Sequence, residues 1–473
     1  MKKLVLTLAV IFVLAVVAVG ALAVAWWSGW LLETPPPPST QADVFKGPVR
    51  APAASFELAL FFLAPPPPDV TKKLDALLAR DYAAFTKVDG APDGRLGLQL
   101  NTRLESNVAS SYTPPTLEEL QYSGEGLTPV QSNALQKATH ALVIRFGAPQ
   151  SRVWEANRMA SRLVATLARE THGLPWDEET REVFSEEAWE ERRVTAWTEE
   201  RPELSDHITI HFYQHGELLR AISLGMAKFG LPDLVVEDLA QSNQRTVGHI
   251  INLLAQAMAE GAEVGAGGEM TLRLASIVNA AARDPQVESL KEGATGEAVL
   301  VLRNARRDEG DPTNRLVEIG FDRAPGVDAQ SRQSSLLATF FGAEDAITHV
   351  EHSPEVLAAS ARAKAKLAAL HRAFDAGLPP GEYLLVKAPF ALPHGGNEWM
   401  WVEVSGWTGK NIRGLLQNEP FEIPTLHSGQ AVDVREDDVF DYILHHPDGT
   451  TEGNETASLL EAQQKAGSGE ARE

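Results

Sequence analysis

Three histidines at four-residue intervals are the first side chains of this sequence that could do chemistry together. His207, His211 and His215 would share one face of a helix, where they could bind zinc. The β-branched run 208–210 and the following Gly216 favour a strand instead. On a strand, four residues span roughly 13 Å, which is too far for ligands of one ion. We therefore expect the three histidines to lie on the solvated face of a half-buried strand.

An acidic turn is a second set of possible metal ligands. Asp308, Glu309 and Asp311, followed by Asn314, supply the carboxylate and amide oxygens that calcium prefers. The turn lacks the alternation of an EF-hand loop and its terminal bidentate Glu. A hairpin loop whose Asp, Gly and Pro satisfy the turn geometry is therefore favoured, and Asp308 and Asp311 remain weak metal candidates.

A third candidate is the pair His349 and His352, with Glu351 between them, just before a predicted helix. No third ligand is evident and the pattern is not HExxH, so a chance association is favoured. The sequence also has no Gly-rich phosphate loop, no G-x-S-x-G elbow and no kinase motif set. It contains no cysteine, which excludes disulfides, thiolate metal sites and Cys nucleophiles. We therefore predict no cofactor and favour a non-enzymatic protein.

A short apolar segment, 398–404, is the most suggestive of binding. Alternate residues of a strand share a face, so three of its side chains would face a core: Met400, Val402 and Val404. Trp399 and Trp401 then point the other way, and exposed indoles would form a binding platform for a protein or a glycan. The other interpretation is that both tryptophans pack under the predicted helix 354–376.

The candidate ligand-binding set is therefore Trp399, Trp401, Glu398 and Trp407. It supports our first hypothesis, a binding protein. The alternative hypothesis is a metal-assisted hydrolase whose His and Asp or Glu side chains come together from different regions.

The elements that must position these residues begin with a segment for membrane insertion. No charged residue lies between Lys3 and Glu33, and residues 4–27 are almost wholly apolar. As a helix this segment would be roughly 36 Å long, more than the roughly 30 Å of a bilayer core. Lys2 and Lys3 favour the cytoplasmic side, so we expect a single-pass anchor with the rest of the chain outside the cytoplasm. The alternative is a cleaved signal peptide and a secreted or periplasmic protein.

The charge of the chain limits its partners. The formal net charge is −22, with 64 acidic and 42 basic residues among 473. Such a surface repels phosphate backbones, so we expect no nucleic-acid partner. The expected partners are the lipid bilayer, through residues 4–27, and a protein or a glycan.

The pattern of apolar residues predicts an α+β fold. Strands and helices alternate irregularly, and two hairpins are indicated, 208–222 and 298–321. Short strands at the C-terminal end, separated by Gly and Pro turns, predict a small β-barrel-like domain or a curled sheet. The predicted organisation is a membrane segment (1–32), a Pro-rich linker (33–52), an α+β domain (53–260), a Gly-rich linker (261–268), a hairpin and helix region (269–379), a β domain (380–457) and a disordered tail (458–473).

The last third of the sequence resembles a known family. Four runs carry the likeness: Tyr383–Phe390, Glu398–Val402, Asp437–Val439 and Gly453–Thr456. They are similar to the YegJ-like family of domains of unknown function. Tyr442 departs from that pattern, because Trp is expected there after the Asp.

Two upstream segments, Gly225–Glu237 and Asp308–Leu316, resemble stretches that accompany this domain in larger proteins. The resemblance implies an architecture and no activity.

Overall fold

The computed structural model describes residues 43–342, 353–392, 396–421, 423–457 and 459. The predicted membrane segment 4–27, His349 and His352 lie outside the described residues, as does most of the predicted tail 458–473. Among the residues that are described, none of the helices has the length and apolar character needed to cross a membrane.

The first of three sheets is built around one strand that is buried on both faces. Its seven strands are β1 (Ala53–Phe62), β2 (Thr86–Lys87), β3 (Gln99–Glu105), β4 (Gly124–Glu125), β5 (His140–Pro149), β6 (Leu174–Asp177) and β7 (Glu182–Phe184), in the order β2-β3-β5-β1-β6-β7-β4. The near-continuous apolar run of β1 follows from this central place. Leu58 and Leu60 pack beneath helices, whereas Ala59 and Phe61 enter a separate cluster on the other face.

The second sheet is mixed. Its six strands are β8 (Thr209–His215), β9 (Leu218–Leu224), β10 (Asp233–Leu239), β11 (Glu269–Arg273), β12 (Glu297–Asn304) and β13 (Leu316–Gly320), in the order β11-β12-β13-β10-β9-β8. Strands β10 and β13 run parallel at its centre. Both predicted hairpins are confirmed, as β8–β9 and β12–β13. Strands β8 to β10 precede the Gly-rich connection 261–268, and strands β11 to β13 follow it. The second sheet therefore takes strands from both sides of the predicted boundary at residue 260.

The third sheet is antiparallel and open. Its six strands are β14 (Tyr383–Ala391), β15 (Asn397–Thr408), β16 (Asn411–Leu416), β17 (Ala431–Arg435), β18 (Asp441–His445) and β19 (Thr451–Gly453), in the order β17-β16-β15-β14-β18-β19. Strands β17 and β19 are its two edges, and no pairing between them closes the sheet among the described residues. These strands therefore do not close into the predicted barrel, although β14 to β17 lie where the sequence places short strands.

The helices cover the sheets. In chain order they are α1 (Val70–Asp81), α2 (Val108–Ser111), α3 (Leu120–Ser123), α4 (Pro129–Leu135), α5 (Val153–Thr171), α6 (Glu186–Trp189), α7 (Gln244–Glu260), α8 (Ala280–Glu288), α9 (Ala329–Phe341) and α10 (Pro354–Asp375). Helices α1 and α5 pack on the first sheet, α7 and α9 on the second, and α10 on the third. The α+β class predicted from the sequence is confirmed.

Alternation along the third sheet determines which side chains α10 covers. Leu367 and Leu370 of α10 share a cluster with the side chains that point towards the helix, among them Val386, Met400 and Val402. An antiparallel sheet of this kind usually buries one face and leaves the other to water or to a partner.

Candidate binding site on the third sheet

The face of the third sheet opposite this core carries Lys387, Trp399, Trp401 and Glu403. We call it the Trp401 face. Lys387 of β14 lies directly across from Trp401 of β15 on one side and from Asp441 of β18 on the other. Side chains opposite one another on antiparallel strands have Cβ atoms about 4.5–5.5 Å apart, so these three form one row.

The two tryptophans that the sequence singled out are half-buried. The ring of Trp399 lies 4.6 Å from that of Phe440, in a small cluster that includes Val356 at the start of α10. The ring of Trp401 lies 5.6 Å from the ammonium of Lys387, within range of a cation–π contact. Trp399 is therefore tied to its own domain, while Trp401 shares its ring with a cation.

Lys387 is the least expected residue of this face. Its side chain is only 4 % exposed. Its ammonium has no hydrogen bond and no ion pair among the described residues. Burial lowers the pKa of Lys387, because removal from water penalises the charged form, while the charge of Asp441 acts in the opposite direction.

The acidic neighbours of Lys387 are already engaged. One oxygen of Asp441 accepts hydrogen bonds from the backbone nitrogen (2.9 Å) and the hydroxyl (2.6 Å) of Thr456. Its other oxygen accepts from the nitrogen of Tyr442 at 2.8 Å. Asp441 is fully buried and serves to hold residues after β19 against the sheet.

Glu403 connects this sheet to the second one. Its two carboxylate oxygens accept from the backbone nitrogen of Ser242, which lies in a short turn just before α7. Gln417 donates to the same carboxylate at 3.2 Å. Burial raises the pKa of Glu403, while the donated hydrogen bonds favour the charged form.

The other two residues of the predicted ligand-binding set lie elsewhere in the domain. Trp407 is 6 % exposed; its ring stacks on His371 at 4.5 Å and donates to Glu436 at 3.1 Å, so it belongs to the core beneath α10. Glu398 accepts from the backbone nitrogen of Phe421 at 2.7 Å. Phe421 is 68 % exposed.

The acidic turn that contains the weak metal candidates Asp308 and Asp311 forms ion pairs with arginine side chains. The two oxygens of Asp311 accept from the guanidinium of Arg220, each at 3.0 Å. Asp308 lies 3.1 Å from Arg306 and 3.8 Å from Arg220. Arg220 is fully buried, and its guanidinium supplies the positive charge that a bound metal ion would otherwise bring to these carboxylates. Across the described residues, no three His, Cys, Asp or Glu side chains are arranged to hold a metal ion.

The prediction for the histidines is wrong for His207. The strand β8 begins at Thr209, so His207 precedes it and is buried, at 2 % exposed, with its ring 4.9 Å from that of Trp197. Burial and the nearby charge of Arg193 lower the pKa of His207 well below its ordinary value. His211 lies on the strand and is exposed, as expected.

A buried charge cluster joins the first and second sheets, and the sequence did not reveal it. Asp177 of β6 lies 2.5 Å from the ammonium of Lys228 and 3.4 Å from the guanidinium of Arg193, which also contacts Glu182 at 3.0 Å. All four are buried. The neighbouring Glu179 has its pKa raised to about 7 by burial and by the charge of Asp177. One sequence signal was Lys228, the only charged residue in the largely apolar segment 221–232.

The two upstream segments singled out by resemblance touch each other. Asn314 donates from Nδ2 to Asp233 and to the carbonyl of Leu231, both at 2.8 Å. The backbone nitrogen of Asp233 donates to the carbonyl of Arg315 at 2.9 Å. These bonds fix the parallel pairing of β10 with β13, so the two segments have a shared structural role.

One small pocket lies away from these features. It has a volume of about 140 Å³ and is lined by side chains that include His249 and Gln286, which bond to each other at 2.6 Å. Ligand pockets usually enclose about 300–1,000 Å³, so this one is too small to be a strong candidate.

Comparison with known proteins bears on the third sheet. The family described as "Uncharacterized protein conserved in bacteria (DUF2314)" matches residues 353–467. Residues 353–467 are a DUF2314 domain. The match begins at α10 and takes in all six strands of the third sheet, so the DUF2314 domain includes the helix that the sequence had assigned to the preceding region. No curated protein and no solved structure matches the chain.

Proposed function

We propose that this chain is a binding protein, held at a membrane by residues 4–27 with the rest of the chain outside the cytoplasm. Its DUF2314 domain, which we take to be YegJ-like, receives a peptide segment of a protein partner on the Trp401 face. The single observation that carries the proposal is the pairing of a half-buried Trp401 with a buried Lys387 whose ammonium has no hydrogen bond and no ion pair among the described residues. An indole beside a polar anchor is the composition of many interaction hot spots.

The chemistry of the face favours a peptide over a glycan. Sugars are held through hydroxyl groups, which need carboxylate or amide acceptors as well as an aromatic ring. The acids nearest Lys387 are taken: Asp441 by Thr456, and Glu403 by Ser242. An apolar surface with one cation fits a peptide with mixed side chains.

An array of random octapeptides, acetylated and amidated at their ends, tests the proposal on the full chain in detergent. We expect Trp401→Ala to lower the affinity for the bound peptides about tenfold or more, because in this proposal the ring supplies most of the contact area. Tyr122→Ala is the matched control, since Tyr122 is 72 % exposed and lies outside the DUF2314 domain. Near-ultraviolet circular dichroism verifies that both variants are folded. Equal binding by Trp401→Ala, or a Trp401-dependent signal on an oligosaccharide array in place of peptides, would contradict the proposal.

A further inference from the structure

We infer that Lys387 recognises a carboxylate, so that the peptide taken by the Trp401 face presents an Asp or Glu side chain to this ammonium. The inference rests on the proposed function and specifies the partner: an acidic peptide segment.

A comparison of two buried lysines carries the argument. Among the described residues, Lys228 and Lys387 are similarly buried, at 3 % and 4 % exposed. Lysine is almost never fully buried unless it is paired. Lys228 has its pair, because an oxygen of Asp177 lies 2.5 Å from its ammonium. Lys387 has no such oxygen within ion-pair distance in the described part of the chain, so its ammonium can bind a carboxylate supplied by a ligand.

The chain itself does not supply the missing group. Asp441 lies across the strand pair from Lys387 and its charge acts on the ammonium, but the two form no ion pair, and the oxygens of Asp441 accept from Thr456 and Tyr442. Glu403 is two residues along β15 from Trp401, and its carboxylate is directed to Ser242. Both acids hold separate parts of the protein together. Turning either one towards Lys387 would leave buried backbone donors without an acceptor, which is costly.

The narrow exposure of Lys387 selects the shape of the incoming group. A side chain that is 4 % exposed can be reached only by a slender group. The methylene and carboxylate of an Asp or Glu side chain meet that requirement better than a chain terminus, which brings its own backbone. Trp401 lies beside the ammonium and offers its ring to the methylene groups. A charge-assisted bond formed away from water then fixes the peptide's register.

The long-range field of the protein makes the test stringent. The net charge of −22 repels acidic peptides at a distance. Any preference for an acidic peptide must therefore come from a local cation. Salt screens the repulsion, so acidic peptides should bind somewhat better at higher ionic strength, until the local bond is weakened too.

The experiment uses octapeptide pools that differ at one position, with the full chain in detergent. One pool carries a single Glu and the second carries Gln there, and both have amidated ends. We expect the wild type to prefer the Glu pool by about tenfold, the effect of one charge-assisted hydrogen bond. Lys387→Met should remove the preference and Lys387→Arg should keep much of it. If Lys387→Met loses its near-ultraviolet circular dichroism signal, Lys387→Gln is tested in its place. The ratio of the wild-type affinities for the Glu and Gln pools tests the preference for a carboxylate without any variant.

The outcomes separate the inference from the proposed function. Trp401-dependent binding of both pools with equal affinity overturns the carboxylate inference and leaves the peptide-binding proposal in place. No Trp401-dependent binding of either pool overturns both. A third pool carries Gln and a free C-terminus. If only that pool gains affinity through Lys387, the assignment to a side chain is wrong, because a chain terminus is then the carboxylate recognised.

Discussion

Both carboxylate oxygens of Glu403 lie 3.2 Å from the backbone nitrogen of Ser242. Ser242 belongs to the turn Gln241–Asn243, which leads directly into α7. The first amide groups at a helix start have no partner within the helix, and the helix dipole favours a negative charge there. A side chain of the DUF2314 domain thus accepts a hydrogen bond from the turn that leads into α7, the helix that packs on the second sheet.

We expect Glu403→Ala to lower the free energy of unfolding by about 1–3 kcal/mol, because a buried amide loses its acceptor. Urea unfolding followed by tryptophan fluorescence measures the change. Glu217→Ala is the matched control, since Glu217 also contacts the DUF2314 domain, at Arg413 (3.6 Å), but both side chains are more than half exposed. That variant should change the free energy by less than about 1 kcal/mol. Equal losses in the two variants would refute the role given to Glu403.

The ion pair of Asp177 with Lys228 gives a second prediction. Lys228→Met leaves Asp177 buried with only the more distant Arg193, so the free energy of unfolding should fall by about 3–5 kcal/mol. Lys87→Met removes a pair of similar length, at 2.7 Å to Asp75, whose members are about half exposed. Its effect should stay below about 1 kcal/mol. A small loss for Lys228→Met in urea unfolding would show that the cluster does not depend on this pair.

Glu179 predicts a pH dependence of stability. Its pKa is raised to about 7 in the folded state, against about 4.3 when unfolded. The folded state therefore holds the proton more tightly, and the free energy of unfolding falls as pH rises from about 4.5 to about 7. The loss is up to about 3 kcal/mol. Asp177, Lys228, Asp233 and the backbone of Glu57 are the groups that act on Glu179.

Glu179→Gln should remove this part of the pH dependence and raise the melting temperature at pH 8 relative to the wild type. Differential scanning fluorimetry between pH 4.5 and pH 8 measures both effects. Glu118→Gln at an exposed position is the control and should follow the wild-type curve. A Glu179→Gln curve that coincides with the wild type would rule out this titration.

The proposed membrane segment predicts the fractionation of the chain. The full chain should remain in the membrane fraction after a carbonate wash, and a chain without residues 1–32 should be released. Protease added to intact spheroplasts should digest the full chain, since its body is proposed to lie outside. A mature N-terminus near Ala25 or Trp26 would show a cleaved signal peptide and leave export intact. Protection from protease would contradict the orientation.

Local patterns were enough to predict four strands of the third sheet, β14 to β17, and both hairpins. Antiparallel neighbours impose an alternation that can be recognised in the sequence, and Met400 and Val402 show it clearly. Helix α10 was predicted because the segment after Pro354 is rich in Ala and ends before Gly377. These features depend on residues close together in the chain.

Pairing between distant segments could not be predicted in the same way. The parallel neighbours β10 and β13 are about eighty residues apart, and neither sequence specifies the other. The edges of the third sheet likewise depend on which strands meet, so the barrel was predicted where an open sheet forms. His207 was misplaced because the strand starts only at Thr209, two residues after His207.

The candidate site was predicted in part. Trp399 and Trp401 were found from alternation, but Lys387 was not, because a lysine on a strand ordinarily marks the solvated face. Its burial becomes visible only when the neighbouring strands β15 and β18 are in place. The ion pair of Asp177 with Lys228 was missed for the same reason, since the two residues are fifty-one positions apart in the chain.

The open edge of the third sheet bears on whether two copies of the chain can pair through their strands. Strand β17 pairs with β16 on one side, and its exposed residues include Asp433 and Arg435. A second copy that added its own strand to this edge would have to dehydrate both charges. Charged side chains on an edge strand therefore disfavour pairing between two copies of the chain through this edge.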